Sequence, residues 1–578
     1  MMNKKLFRMA LSLPVLGLPP LLSLGAADPV ARAAAEYPET IESALPSWER
    51  EVVDWSAARA QAAEESLQPI RPGIPGERPF WNGSAPSFTY APAFDFKTFK
   101  GATAYRFTAR VVGMKSATLV FEAENPWAPL TPIWKDLPAG EVILQVQGLK
   151  EKDGEPIGLA GERRFYRASV FNGPYQAPAF DFRESVRRVC LFQFRSPFFQ
   201  QFKEARDHYD MDPYPSKFEG TGVIQSMTIL ARISPRLPEA DDALLMARNA
   251  ARHLIRISRP SGDALAFFPP TYSATTRTFN PALAPECQPD NIMMYLPAQV
   301  GDCYLDLFDA TNDAEFFQAA VRIAETYRKT QLPGGTWYLM ADGRSGKRLG
   351  MEMVPMDMPG FNVVDFLDRL GVQYGRREFL PVRDAAVKWI KDNTLRTFDF
   401  TGQFEDTGSD HVPYSNLSGN TAAAIASYLF RHANEDPSSI ALAEDALRLE
   451  EDVFIEWEQP FNRDLFTRPE TQFKKDLFTP CAFEQYLCYT SVDCSAAFFM
   501  DACLAGYQAT AKKQYLAKAL SFANAMTVLQ EGSGGTIPTW WNPSRIDDVW
   551  PNCPALCARM MERFANHTDT LCGTGNHP

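Results

Sequence analysis

The chain has 578 residues, a net charge of −12 and a pI near 5.2, with 45% hydrophobic and 22% charged residues. That composition excludes a disordered chain, and its length calls for more than one core. The acidic balance, with no basic stripe carrying interleaved aromatics, argues against nucleic acid or an anionic bilayer as partner.

Residues 1–35 read as an export signal. Lys4, Lys5 and Arg8 precede an apolar run, Met9 to Leu24, which Pro14, Pro19 and Pro20 interrupt. Gly25, Ala26 and Ala27 suit cleavage, with Ala33 to Ala35 as a second option. The prolines and the short length argue against a permanent span. A periplasmic or secreted protein, without a membrane span once the signal is removed, is the expectation. Residues 36–79 form a polar leader with one amphipathic stretch, Trp48 to Leu67.

From 80 to 178 the pattern changes to short β-branched or aromatic runs: Phe88–Tyr90, Ala104–Val112, Ala117–Ala123, Ile133–Lys135, Glu141–Val146 and Phe165–Ser169. Turn residues separate them, among them Gly113, Asn125-Pro126, Pro138-Ala139-Gly140 and Asp153-Gly154. This spacing predicts a β-sandwich. The segment resembles a fibronectin type III or immunoglobulin-like module, which speaks to fold and not to activity. Ala-Pro-Ala-Phe-Asp-Phe occurs at 91–96 and again at 177–182, where it marks the exit from the sandwich.

Residues 179–578 carry helical periodicity. Leu244, Ala247, Ala251, Leu254 and Ile255 share a face, as do Tyr515, Leu516, Ala519, Leu520, Ala523 and Met526. Between such amphipathic helices lie others apolar all round, such as Thr421–Leu429 and Ser495–Gly506, which must be buried on several sides. Buried-type helices are predicted to begin near 220, 290, 360, 415, 485 and 551. Amphipathic ones are predicted near 240, 312, 376, 437 and 512, and 184–205 supplies a twelfth element, helix or strand. With the recurrent turns Gly334-Gly335-Thr336-Trp337 and Gly534-Gly535-Thr536, the pattern resembles an (α/α)6 toroid. The fold class expected is therefore multidomain: an N-terminal β-sandwich followed by an all-α (α/α)6 toroid.

In such a toroid the inner-helix N-termini share one funnel, each with unsatisfied N–H groups and partial positive charge, which favours an anionic ligand. The loops entering that funnel supply the candidates. Paired carboxylates can protonate a leaving oxygen and activate water, and Asp290, Glu352, Asp357 and Glu405 are the catalytic candidates. Asp290 also reads as a helix cap, since Pro-Asp-Asn opens an apolar stretch. His411 with Tyr414, beside Asn416, or His208 with Tyr209, suits proton abstraction instead. Trp337, Trp540, Trp541 and Trp550 offer flat faces for pyranose rings, and Arg545 a fork for a carboxylate. The ten Cys include no Cys-x-x-Cys pair, so no metal or other cofactor is expected, and the thiols are read as buried and free or as one or two disulfides.

The layout from about 80 to 578 is similar to β-glucuronidase and unsaturated glucuronyl hydrolase families with (α/α)6 barrels. No catalytic residue of theirs matches motif by motif, and the Asp-Ala-Gly-Asp signature of family nine cellulases is absent. The resemblance implies an exo-acting glycoside hydrolase for uronic-acid-bearing oligo- or polysaccharides. The alternatives are a polysaccharide lyase or uronyl epimerase, and a non-catalytic glycan-binding protein. Assembly into a homo-oligomer is compatible with each.

Overall fold

The computed structural model describes residues 38–70, 85–114, 118–209, 213–280, 283–400, 402–405, 412, 414, 416–459, 478–485, 488–541 and 549–571. The expected signal segment, His411 and Arg545 lie outside these residues. No helix among the described residues is long and apolar enough to cross a membrane.

The leader is largely helical: α1 (Pro38–Ala44), α2 (Ser47–Val52) and α3 (Trp55–Glu65). Asp54 caps α3 by accepting from the Ala57 amide at 2.9 Å. Its buried side, Trp55, Ala58 and Ala62, faces the core. The leader is thus a docked element and not a tether.

The next strands are β1 (Ser87–Phe88), β2 (Ala104–Val111), β3 (Thr118–Ala123), β4 (Gly140–Leu149) and β5 (Pro156–Arg167), with α4 (Thr131–Trp134) between β3 and β4. They form one five-stranded sheet in the order β1-β5-β4-β2-β3, antiparallel except for β1 beside β5. Period-two alternation buries Tyr105, Phe107, Ala109 and Val111 of β2 with Val142, Leu144 and Val146 of β4. The expected two-sheet sandwich is corrected here. Phe94 and Trp134 close over Phe165 at centroid distances of 5.4 and 6.2 Å, so coil and α4 supply the second layer. Ile133 and Trp134, from the run 133–135 expected as a strand, fall on α4 with Lys135 as its C-cap, because Pro132 at its first positions presets a helical φ.

Among the described residues, twelve long helices follow in inner and outer pairs. α5 (Phe182–Arg195) is outer, and α6 is inner, π-wound over Ser216–Ile224 and α-wound over Gln225–Ile233. Then come α7 (Ala240–Ile257), α8 (Leu296–Thr311), α9 (Ala314–Thr330), α10 (Val363–Val372), α11 (Leu380–Asp392), α12 (Gly419–Arg431), α13 (Ser439–Phe454), α14 (Asp493–Thr510), α15 (Lys513–Gly532) and α16 (Asn552–Leu571). Among the even-numbered helices from α6 onward, α6 packs on α8, α8 on α10, α12 on α14 and α14 on α16, and the ring closes where α16 meets α6. Across the α10–α12 step, Arg431 bonds Asp365 at 2.8 Å. Each inner helix packs on an outer partner, α16 on α5. The inner ring needs small residues: a Cβ on Gly301 of α8 would stand 2.5 Å from the Phe366 ring of α10.

Connections at one end of the ring are short, such as 312–313 and 511–512. Those at the other end are long: 258–295, 331–362, 393–418, 455–492 and 533–551. The long ones carry two small sheets, β6 (Asn291–Met293) with β7 (Tyr338–Asp342) and β8 (Arg348–Glu352), and β9 (Ile455–Glu456) with β10 (Cys481–Gln485) and β11 (Cys488–Ser491). Inner-helix N-termini all lie at this end.

The two parts are joined through buried polar groups. Asp452 of α13 accepts the amides of Thr89 and Tyr90 at 2.6 and 2.7 Å, and Tyr90 donates to Glu451 at 2.8 Å. Lys518 of α15 pairs with Glu451 at 2.5 Å. Burial pushes Asp452 and Glu456 up to about 8, and Glu49 up to about 7. Such acids stay protonated when folded but ionise near pH 4 when unfolded, so their stabilising share is complete below about pH 4 and is lost as pH rises toward 8. Urea unfolding midpoints should fall between pH 5 and pH 8. Asp452→Ala strands two buried amides and should cost about 3 kcal/mol at pH 7. Asp452→Asn keeps an acceptor, should cost less, and should make the pH dependence shallower.

Candidate functional site

Glu405 lies in the connection that leads to α12, and three neighbouring elements converge on it. Lys217, in the first turn of α6, places its ammonium 2.5 Å from Glu405 Oε1. Tyr295, the residue just before α8, donates to Oε2 at 3.5 Å. Tyr272 holds the Glu405 backbone carbonyl at 2.9 Å. Glu405 is 4% exposed and Lys217 is largely buried. Burial works against the Lys217 charge, but the Glu405 carboxylate outweighs it and the lysine pKa rises. The ammonium also lies 5.4 Å from the centre of the Trp550 ring.

A second buried carboxyl comes from another of the long connections. Asp357, in the connection that leads to α10, accepts from Gln299 Nε2 at 3.0 Å, and its other oxygen has no hydrogen-bond partner. Burial pushes its pKa up to about 8, so it is a neutral acid at pH 7. Gln299 follows Tyr295 by four residues, so the two partners sit one above the other on a single face of α8, about 5–6 Å apart at Cβ. Gln403 locks the two connections together: its side chain accepts from the Val354 amide at 2.9 Å and donates to the Val354 carbonyl at 2.8 Å. A buried acid and an ion-paired carboxylate are thus held by side chains four residues apart at the N-terminal end of one inner helix. In such an arrangement one group gives a proton while the other takes one or attacks.

The remaining expected residues distribute unevenly. Asn416 is buried and bonds Gln485 at 2.8 Å, while its carbonyl accepts the Gly402 amide, so it positions the segment that carries Glu405. Trp550 and Trp540 are partly exposed. Trp337 and Trp541 are 0% exposed, which corrects their reading as stacking platforms. The Trp337 indole donates to the Tyr327 carbonyl at 2.9 Å and plugs the gap behind α9. Asp290 is exposed, pairs with Arg259 at 2.8 Å and precedes strand β6, so the helix cap expected there is corrected as well. Glu352 ends β8, is exposed and accepts from Trp389 of outer helix α11 at 3.2 Å. The Tyr414 hydroxyl is spent on the Thr397 carbonyl at 2.9 Å. Tyr209 is buried against Phe202 and His253, and His208 is exposed.

Sequence reasoning missed Lys217, Tyr295 and Gln299. One signal was present: Lys217 is a lone cation at the start of a segment, Phe218 to Ile224, with no other basic residue. It also missed a buried cluster at the first turns of α14 and α16, where Asp493, Cys494 and Cys553 bring their ligating atoms within 4.8 Å of one another. Cys190, Cys287, Cys303, Cys481, Cys494, Cys503, Cys553 and Cys557 are all buried. A cavity of about 560 Å³ lies toward the opposite, short-connection end, where Arg369 pairs with Asp302 and Asp306 at 2.7 and 2.8 Å and Arg232 with Glu562 at 2.6 Å. It holds none of the expected residues.

No protein family matches the sequence, and no curated protein does. Among solved structures, the chain is similar to a family 76 glycoside hydrolase from a bovine Bacteroides thetaiotaomicron strain. That match has 9% identity over 80% of this chain and 93% of that one, with a TM-score of 0.42. It is also similar to an unsaturated glucuronyl hydrolase specific for heparin (10% identity, 67% and 97%, TM-score 0.41). A sugar epimerase from a ruminal bacterium gives 12% identity, 67% and 98%, and a TM-score of 0.44. Likeness at this level transfers no residue role and no activity.

Proposed function

We propose that the protein is a glycan-acting enzyme, an exported exo-acting glycoside hydrolase for uronic-acid-bearing chains. The observation that carries this reading is the pair Asp357 and Glu405, a buried carboxyl bonded to Gln299 of α8 and a carboxylate ion-paired with Lys217 and bonded to Tyr295 just before α8. Asp357 protonates the leaving glycosidic oxygen. Glu405 takes the proton of the attacking water or attacks the anomeric carbon itself. Lys217 and Tyr295 hold Glu405 in place. The partial positive charge of the surrounding helix N-termini suits a sugar carboxylate. Trp550 and Trp540 are the partly exposed indoles that remain for stacking against a ring.

The test is ultraviolet absorbance of the conjugated C=C–carboxylate chromophore. The protein is incubated with intact polyuronides and, separately, with oligosaccharides that carry a terminal unsaturated uronide. Loss of absorbance from the oligosaccharides is the expected result. A gain from intact polymer would mean β-elimination and would overturn hydrolysis. No change in either, with no new reducing ends, would leave a glycan-binding protein without turnover.

A further inference from the structure

The first turns of α14 and α16 meet beside Lys217, and the side chains there are an unusual set for a helix junction. Asp493 opens α14 and Cys494 follows it, while Cys553 stands in the first turn of α16. The three are 0%, 4% and 7% exposed. Cys557 lies one turn beyond Cys553 on the same face of α16 and is in hydrogen-bond contact with the Asp493 carboxyl. One Asp493 oxygen, Oδ2, has no hydrogen-bond partner, and neither has Oδ1 of the adjacent Asn552. A buried acceptor left unpaired is costly, and a cation would remove that cost.

We propose that Asp493, Cys494, Cys553 and Cys557 form a binding site for a thiolate-preferring divalent cation of the zinc class. The geometry is close to what such an ion needs. Zinc holds sulfur at about 2.3 Å in a tetrahedron, which sets ligand–ligand spacings near ~3.8 Å. The three ligating atoms already lie within 4.8 Å of one another, so each moves by less than about 1 Å. Two or three sulfurs with one carboxylate oxygen select a borderline-soft ion over magnesium or calcium. Bound there, the ion pins the start of α14 to the start of α16, two inner helices whose ligands are separated by more than 50 residues of chain. This inference is independent of the hydrolase reading, because it is read by metal binding and not by turnover.

The test uses the full chain, reduced, stripped with a chelator and titrated anaerobically with Co²⁺. One equivalent should bind with a sulfur-to-cobalt charge-transfer band, and one equivalent of Zn²⁺ should displace it. Cys494→Ser and Cys553→Ser should each weaken Zn²⁺ binding by at least about 100-fold. Cys303→Ser, on α8 and outside the cluster, should leave it unchanged. Because a serine variant can fail to fold, zinc-edge X-ray absorption of the loaded unaltered chain supplies a second reading, with sulfur expected at about 2.3 Å. Absence of a charge-transfer band, oxygen and nitrogen ligands only, binding that survives the Cys494→Ser/Cys553→Ser double variant, or a Cys494–Cys553 disulfide in the purified chain would each overturn the proposal.

Discussion

Asp357→Asn should lower kcat by about 10²–10⁴-fold on glycosides with a sugar leaving group. The amide keeps the shape and can keep the Gln299 contact, but it cannot hand over a proton. A substrate whose leaving group needs no protonation, such as an activated aryl glycoside, should lose far less. That contrast separates an acid from a residue that only shapes the loop. The pH profile gives a second signature. Burial holds the Asp357 carboxyl up to about 8, so the unaltered protein should lose activity as pH rises through that value, and the variant should lack this alkaline limb. Stability should move the other way. A folded-state pKa above the unfolded one contributes fully below about pH 4 and loses about 1.4 kcal/mol per pH unit from there to about pH 8. The asparagine removes that slope, so Asp357→Asn should be at least as stable at pH 7 while turnover collapses. Equal losses on both substrate types, with an unchanged alkaline limb, would remove Asp357 from the chemistry.

The helical part was legible because its signal is local and repeated. Inner helices expected near 220, 360, 415 and 551 begin at Ser216, Val363, Gly419 and Asn552. Those expected near 290 and 485 begin later, at Leu296 and Asp493, because β6 and β10–β11 occupy the approach. Apolar residues in a short run do not reveal whether a strand or a helix will form. Ile133 shows the same ambiguity, resolved toward helix by Pro132. Trp337 and Trp541 misled for another reason. A Gly-Gly turn beside an indole marks a tight corner equally well when the ring points inward, and burial is a property of the neighbouring helix that the sequence window does not contain. The site was only half legible. Asp357 and Glu405 stood in the expected loops, but their side-chain partners come from elsewhere in the chain: Lys217 is 188 residues from Glu405, and Gln299 is 58 from Asp357. The thiol cluster was invisible for the same reason, since the familiar zinc spacings are local and these ligands come from α14 and α16.

Glu405→Gln should abolish turnover, by about 10³-fold or more, on both leaving-group types, because no proton donor can replace the missing base or nucleophile. The same change leaves the Lys217 ammonium buried without its counter-ion, a loss of about 3–5 kcal/mol in comparable buried pairs. Lost activity alone would therefore be ambiguous between chemistry and unfolding. The double variant Lys217→Met/Glu405→Gln resolves it. Methionine fills the lysine's apolar volume against Trp550 and leaves no charge to compensate, so unfolding measured in urea should return most of the way to the starting value. Turnover should not return. Recovery of stability with activity still absent places Glu405 in the reaction and Lys217 in the role of its counter-ion. Recovery of both together would mean that the pair only props the loop open, and the carboxylate that does the work would have to be sought elsewhere in the funnel.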